Sequence, residues 1–157
     1  MPTFGEEVKL VEAYMEKMRL PRPERPESFG ETYEFPDDPS ALSDTALGQL
    51  MLRLAAYYSY SIVLLGTVDS ELALLEAFCK DAVAKFRLEN ELGRLNADMV
   101  EATAAAIDPN IADLRNRKIR RGAVQNRLKS YTESYQFQYN ALSRELTRRS
   151  SSYKMIQ

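Results

Sequence analysis

Histidine is absent from the 157 residues, so the side chain that most often acts as general base near neutral pH is missing. One cysteine, Cys79, and no histidine leave no zinc site of ordinary ligand type and no internal disulfide. Tryptophan is also absent, and glycine is scarce at six residues. No G-x-x-x-x-G-K-[ST] loop, G-x-G-x-x-G turn or G-x-S-x-G elbow occurs. Chemistry would rest on carboxylates, Lys or Tyr alone, and the expectation is a protein that is not an enzyme and holds no cofactor or metal. The acidic pairs Asp37-Asp38 and Glu89/Glu91 have no second constellation around them and read as solvated. The longest uncharged stretch, Leu54 to Val68, contains three tyrosines, two serines, Gly66 and Thr67, so it is too short and too polar to span a bilayer. The first residues hold no basic n-region or apolar h-region, which points to a cytoplasmic protein.

What is present is a charge split. From Ile107 to Gln157 there are eleven Lys/Arg against four acids, a balance of +7. Residues 1–106 carry ten Lys/Arg and nineteen acids, a balance of −9. The net charge of −2 hides this polarity, which suits either a polyanion partner or self-assembly of basic ends on acidic surfaces.

The spacing predicts an all-α chain: a long antiparallel helical hairpin, coiled-coil-like, with a short N-terminal helix and a Pro-rich arm. Residues 1–39 form the helix and arm, 40–149 the hairpin, and 150–157 a flexible tail. Thr3 and Glu6 stand at capping-box spacing, and Val8, Val11, Met15 and Met18 follow at helical spacing. Pro21, Pro23 and Pro26 stop that helix, and the segment to Pro39 reads as a solvated spacer. The alternative is that Phe29, Tyr33 and Phe35 dock on another surface. Ser43 is the expected N-cap of a helix from about 44 to 92. Its stripe is Leu47, Leu50, Met51, Leu54, Tyr57, Tyr58, Ile62 and Leu65, then Val68, Leu72, Leu75, Phe78, Cys79, Ala82 and Phe86. A hairpin at Gly66 is the runner-up. Gly93 to Asn96 reads as a turn and Asp98 to Ile107 as a short alanine-rich helix. Asp108-Pro109 opens a second long helix, from about 109 to 149. Its stripe is Ile111, Leu114, Val124, Leu128, Tyr131, Tyr135, Tyr139, Leu142 and Leu146. Ser150-Ser151-Ser152 marks fraying.

Three constellations carry functional signal. Arg115, Arg117, Lys118, Arg120, Arg121, Arg127 and Lys129 surround much of the second long helix and suit phosphates, with Arg144, Arg148 and Arg149 extending the surface. The bland reading is a solvated face, or one paired with acids. Tyr131, Tyr135, Phe137 and Tyr139 follow the basic run as a base-stacking set, of which Phe137 and Tyr139 are the stacking or subunit-contact candidates. The bland reading there is core, which fits Tyr131 and Tyr135 best. Tyr57, Tyr58 and Tyr60 cover more than one face of the first long helix and point to oligomerisation.

The layout resembles UvsY-like phage recombination mediators over residues 40–149. The resemblance lies in the Leu42-Ser43-Asp44 helix start, the x-Asp-Pro-x-Ile start at Ile107–Ile111 and the closing Leu-Ser-Arg-Glu-Leu-Thr-Arg-Arg at Leu142–Arg149. It implies an oligomeric single-stranded-DNA-binding accessory protein of the host cytoplasm. Such a protein helps load a RecA-type recombinase onto DNA coated by single-strand-binding protein. The alternative is a structural or assembly protein, such as a virion or scaffold component, whose basic helix meets acidic surfaces of neighbouring subunits. A third reading is a regulator that binds another protein through residues 1–39.

Overall fold

The structure is a computed structural model that describes residues 3–19, 22–91 and 96–154, with residues 153 and 154 described by backbone alone. It is all-α: α1 (Phe4–Lys17), α2 (Asp44–Glu89), α3 (Ala97–Ile107) and α4 (Pro109–Lys154), with a short 3-10 turn at Pro39–Ala41. No strand occurs among the described residues. The expected turn at Gly93, like Leu92 and residues 155–157, lies outside them. α2 passes through Gly66 unbroken. A glycine in a helix costs only about 1 kcal/mol against alanine, too little to break a helix held by packing.

The chain divides into two compact units. One comprises Met1–Pro21 with Gly66–Asn126, and the other Arg22–Leu65 with Arg127–Gln157. In the first unit α1 opens with the full capping box: Glu6 N–H donates to Thr3 Oγ1 at 3.4 Å, and Thr3 N–H returns to Glu6 Oε2 at 2.6 Å. Phe4 sets its ring edge-on to Phe78 with centroids 6.2 Å apart. Asn96 caps α3 through Met99 N–H, and α3 buries Val100 and Ala104, one turn apart on a single face. Asp108 ends α3 and starts α4 by accepting from Asn110 N–H at 2.8 Å, with Pro109 where no N–H is needed. Phe86, Ala104 and Ile111 form the local core. Asp69 meets Gln125 and Glu71 meets Arg121, so α2 and α4 run antiparallel. Burial pushes the Cys79 thiol up, away from the reactive thiolate.

In the second unit the core is Leu47, Leu54, Tyr57 and Leu142, ringed by Phe29, Tyr33, Phe35, Leu42, Leu50, Met51, Tyr135 and Tyr139. Antiparallel pairing is fixed by Tyr57 on Tyr135 and by Ser61 on Thr132, whose hydroxyls lie 3.0 Å apart. Burial raises the phenols of Tyr33 and Tyr135.

The arm is not a solvated spacer. A tight turn, with Phe29 N–H on Pro26 C=O at 2.9 Å and Gly30 at φ 101°, points Phe29 inward. Its ring stands edge-on to Tyr57 and Tyr60, with centroids 5.8 and 4.9 Å away. Tyr57 donates to the Ser28 hydroxyl at 2.6 Å, or to its carbonyl at 3.0 Å, and Tyr33 donates to Gln138. Tyr57 and Tyr60 are therefore covered by the chain's own arm, whereas the sequence reading assigned that cover to a second subunit. Phe29 and Tyr33, 15 and 11 positions before the start of α2, give no periodic signal, so spacing alone does not choose docking over a solvated spacer.

The buried line also departs from the predicted stripes. Ser61 is 0% exposed and Ile62 45%. Val124 and Tyr131 are 42% and 47% exposed, whereas Gln125, Leu128 and Thr132 turn inward. Ser150–Ser152 do not fray: each hydroxyl donates to the carbonyl four residues back at 3.0 Å, and the helix runs on to Lys154.

Removing the Tyr57 hydroxyl by Tyr57→Phe leaves the ring packed but strands the Ser28 acceptors. We expect a loss of about 1–1.5 kcal/mol in urea unfolding. Phe29→Ala, which undocks the arm, costs about 2–4 kcal/mol and exposes Arg22–Pro39 to protease. Unchanged proteolysis in Phe29→Ala would contradict the docked arm.

Candidate nucleic-acid interface

α4 presents the basic residues, and the structure sorts them by their partners. Lys118 and Arg115 both reach Glu101 on α3, at 3.1 and 3.6 Å. Arg117 pairs with Asp113 one turn back at 2.8 Å. Arg121 Nε lies 2.7 Å from Glu71 Oε2; that buried oxygen is held by the guanidinium's charge without a hydrogen bond of regular geometry.

Near the helix end, Glu145 is the hub. Arg148 grips it through Nε and Nη2 at 2.7 and 2.8 Å, and Arg149 Nε adds a third contact at 2.8 Å. Arg149 also pairs with Asp44 and donates to the carbonyls of Pro39, Ser40 and Leu42. It is thus a clasp between the start of α2 and the end of α4 within the second unit, with its side chain 15% exposed. A planar fork of five donors can satisfy this many acceptors at once, which a lysine cannot.

Six of the ten predicted phosphate contacts therefore face carboxylates of their own chain: Arg115, Arg117, Lys118, Arg121, Arg148 and Arg149. Arg120, Arg127, Lys129 and Arg144 are exposed and meet no carboxylate among the described residues. Arg127 lies against Tyr131, with Nε 3.3 Å from the hydroxyl and the guanidinium carbon 6.0 Å from the ring centroid. The sequence reading missed this pair; the Arg-x-x-x-Tyr spacing, one helical turn, was its signal.

The aromatic candidates also separate. Phe137 is 76% exposed, as a stacking surface requires. Tyr139 instead packs against the core beside Leu142, as does Tyr135, so neither offers a free ring face. Tyr58 is half-buried.

A shallow groove of about 290 Å³ runs between the Asp38–Ser40 turn and α4, lined also by Ala141, Arg144, Glu145 and Arg148. Its charges nearly balance, because Glu145 is engaged by two arginines and Asp38 accepts from Ser40 N–H at 2.9 Å. No group of side chains suited to a metal ion occurs among the described residues, and no helix among them is long and apolar enough to cross a membrane. No family model, curated protein or solved structure matches the chain.

The hydrogen bonds from Arg148 and Arg149 pull the Glu145 carboxyl from its ordinary 4.5 down to about 2. A depressed carboxyl stabilises the fold fully above its unfolded value and less as the folded value is approached. Stability should therefore fall as pH drops from about 4.5 to about 2. Glu145→Gln should start lower at neutral pH and follow a flatter curve through that window. Thermal midpoints across the series check this, and parallel curves for the two proteins would refute the assignment.

Proposed function

We propose that this is a non-enzymatic, homo-oligomeric accessory protein that binds single-stranded nucleic acid along the outer side of α4. One observation carries the reading. Between Arg127 and Arg144, three cations without carboxylate partners among the described residues (Arg127, Lys129 and Arg144) interleave with two exposed rings, Tyr131 and Phe137. Glu133 is the sole acid in that stretch. Cations track a phosphate backbone while bases stack on rings, and every base has a π-face, so such a surface accepts any sequence. Repetition of the surface in an oligomer multiplies a modest affinity.

Support for DNA as the strand, and for a RecA-type recombinase and a single-strand-binding protein as partners, comes from the resemblance to UvsY-like mediators. A second reading, a structural or assembly protein, draws on the ion pairs. α4 already satisfies six basic residues with carboxylates of its own chain, and acids of a neighbour would serve Arg127, Lys129 and Arg144 equally well.

Fluorescence anisotropy with a labelled single-stranded oligonucleotide separates the two. With three phosphate contacts and a slope of about −0.7 per contact, raising salt fourfold should weaken binding roughly twenty-fold. Arg127→Glu with Lys129→Glu should abolish most of that slope, and Phe137→Ala should cost about 1–3 kcal/mol. Absence of binding at low salt, with an oligomer that high salt dissociates, would favour the assembly reading.

A further inference from the structure

The arm sorts its residues by side. Ser28, Phe29, Tyr33 and Phe35 are half-buried, the three rings against the core of the second unit. Glu24, Glu27, Glu31, Glu34, Asp37 and Asp38 are all exposed. Against Arg22 and Arg25 they leave the stretch from Arg22 to Asp38 with a balance of −4. None of the six carboxylates pairs with a cation among the described residues. Such a segment repels a second polyanion brought alongside it.

Its contacts give its course. Ser28 meets Tyr57, Tyr33 donates to Gln138, and the Asp38–Ser40 turn faces Ala141, Glu145 and Arg148 across the groove. On α4, Gln138, Ala141, Glu145 and Arg148 follow at three- and four-residue spacing and so share one flank of the helix. The same spacing carried back toward the start of α4 passes through Ser134 and Tyr131 to Arg127. The acidic arm and the Arg127–Tyr131 pair of the strand site therefore lie along one flank, with Arg144 at the edge of the groove. Lys129 and Phe137 lie off it. A strand that follows Arg127 and Tyr131 toward the helix end runs into the carboxylates of the arm. It also finds Tyr57 already occupied by Phe29 and Tyr33.

The arm is held in a way that lets it leave. No backbone hydrogen bond joins Arg22–Asp38 to α2 or α4 among the described residues. Pro23, Pro26 and Pro36 have no N–H to give. Three rings and the side-chain hydrogen bonds at Ser28 and Gln138 make the attachment. A segment with few buried contacts and no shared backbone ladder opens without unfolding its neighbours. Beyond Asp38 the chain is pinned, because Arg149 donates to the carbonyls of Pro39, Ser40 and Leu42.

We infer that Arg22–Asp38 is an autoinhibitory strap. Docked, it closes the Arg127–Arg148 flank of α4 to polyanions; swung out from the Arg149 clasp, it opens that flank to a single strand. This is regulation of the strand site proposed above and rests on that reading. A strap docked in about nine molecules of ten weakens the apparent affinity about tenfold.

Anisotropy with a labelled single-stranded oligonucleotide and the full chain tests it. Glu31→Gln with Glu34→Gln and Asp37→Asn takes charge from exposed positions and leaves the docked rings in place. It should bind about three- to tenfold tighter at low salt, and the gain should shrink as salt rises. Glu12→Gln with Glu16→Gln and Glu76→Gln removes the same charge from the first unit and should change affinity by less than about twofold. Phe29→Ala, with helix content checked by circular dichroism, should release the strap and bind about tenfold tighter. By reciprocity, the oligonucleotide should speed cleavage of wild type after Glu31 and Glu34 by a glutamate-specific protease. Equal affinity of wild type and the neutralised strap, an equal gain in the first-unit control, or cleavage indifferent to the oligonucleotide would overturn the strap and leave the strand site standing. Binding by none of these proteins would overturn the strand site and the strap with it.

Discussion

A helix of 46 residues keeps a single line of side chains inside only if that line repeats every seven residues. An α-helix turns 3.6 residues per turn, so a fixed seven-residue line drifts about 20° per repeat on a straight helix. In α2 that line runs through Leu47, Leu54 and Ser61 and, in the other unit, Val68 and Leu75, all buried. In α4 it runs through Leu128, Tyr135 and Leu142, with Gln125, Thr132 and Tyr139 on the companion line. Small polar residues on this line then become obligatory hydrogen-bonding partners. Ser61 donates to Tyr58 C=O at 2.8 Å, and Thr132 lies between Ser61 and the Leu128 carbonyl. Each hydroxyl also has a carbonyl of its own helix as acceptor, so the contact between them adds a polar mark of register to the apolar ones around it.

The same line accounts for some of the paired charges. Lys118 and Arg121 fall on it and turn toward α3 and α2, where Glu101 and Glu71 receive them. Arg149, on the continuation of the line, becomes a clasp for the start of α2. Arg127, Lys129 and Arg144 fall off the line and stay exposed. Charge density in the sequence is therefore a poor guide to the binding surface, and so is helical phase alone: Arg115 and Arg148 share the seven-residue phase of Lys129 and Arg127 but meet carboxylates.

Much of the fold was legible because its signals are local. The Thr3–Glu6 box, the Ser43 and Asp108 caps and the lack of proline from Thr45 to Asp108 set helix starts and lengths within a few residues. Ile62, Val124 and Tyr131 were misplaced for one reason. A 3.6-residue period and a 3.5-residue period select different neighbours after two or three repeats, and at 61/62 and 124/125 the apolar residue sits beside a polar one that is the true inward position. Docking of the arm stood only as the alternative to a solvated spacer, because Phe29 and Tyr33 lie in an irregular segment whose partners are 24 residues or more away in the chain. Of the candidate site, spacing alone separated Phe137 from the seam; the ion pairs that remove Arg115, Arg121 and Arg149 from the free set depend on tertiary contacts.

The second unit is assembled from the chain on both sides of the first: Arg22–Leu65 precedes Gly66–Asn126, and Arg127–Gln157 follows it. Asp44 and Arg149 are 105 residues apart, as are Tyr33 and Gln138. During synthesis, the apolar side of α2 from Leu47 to Tyr57 emerges long before Tyr135 and Leu142 exist to cover it. The first unit, apart from α1, is one continuous run and can close while the ribosome is still making α4. The arm is already made by then, so Phe29 and Tyr33 are available to that waiting helix before its partners on α4 exist.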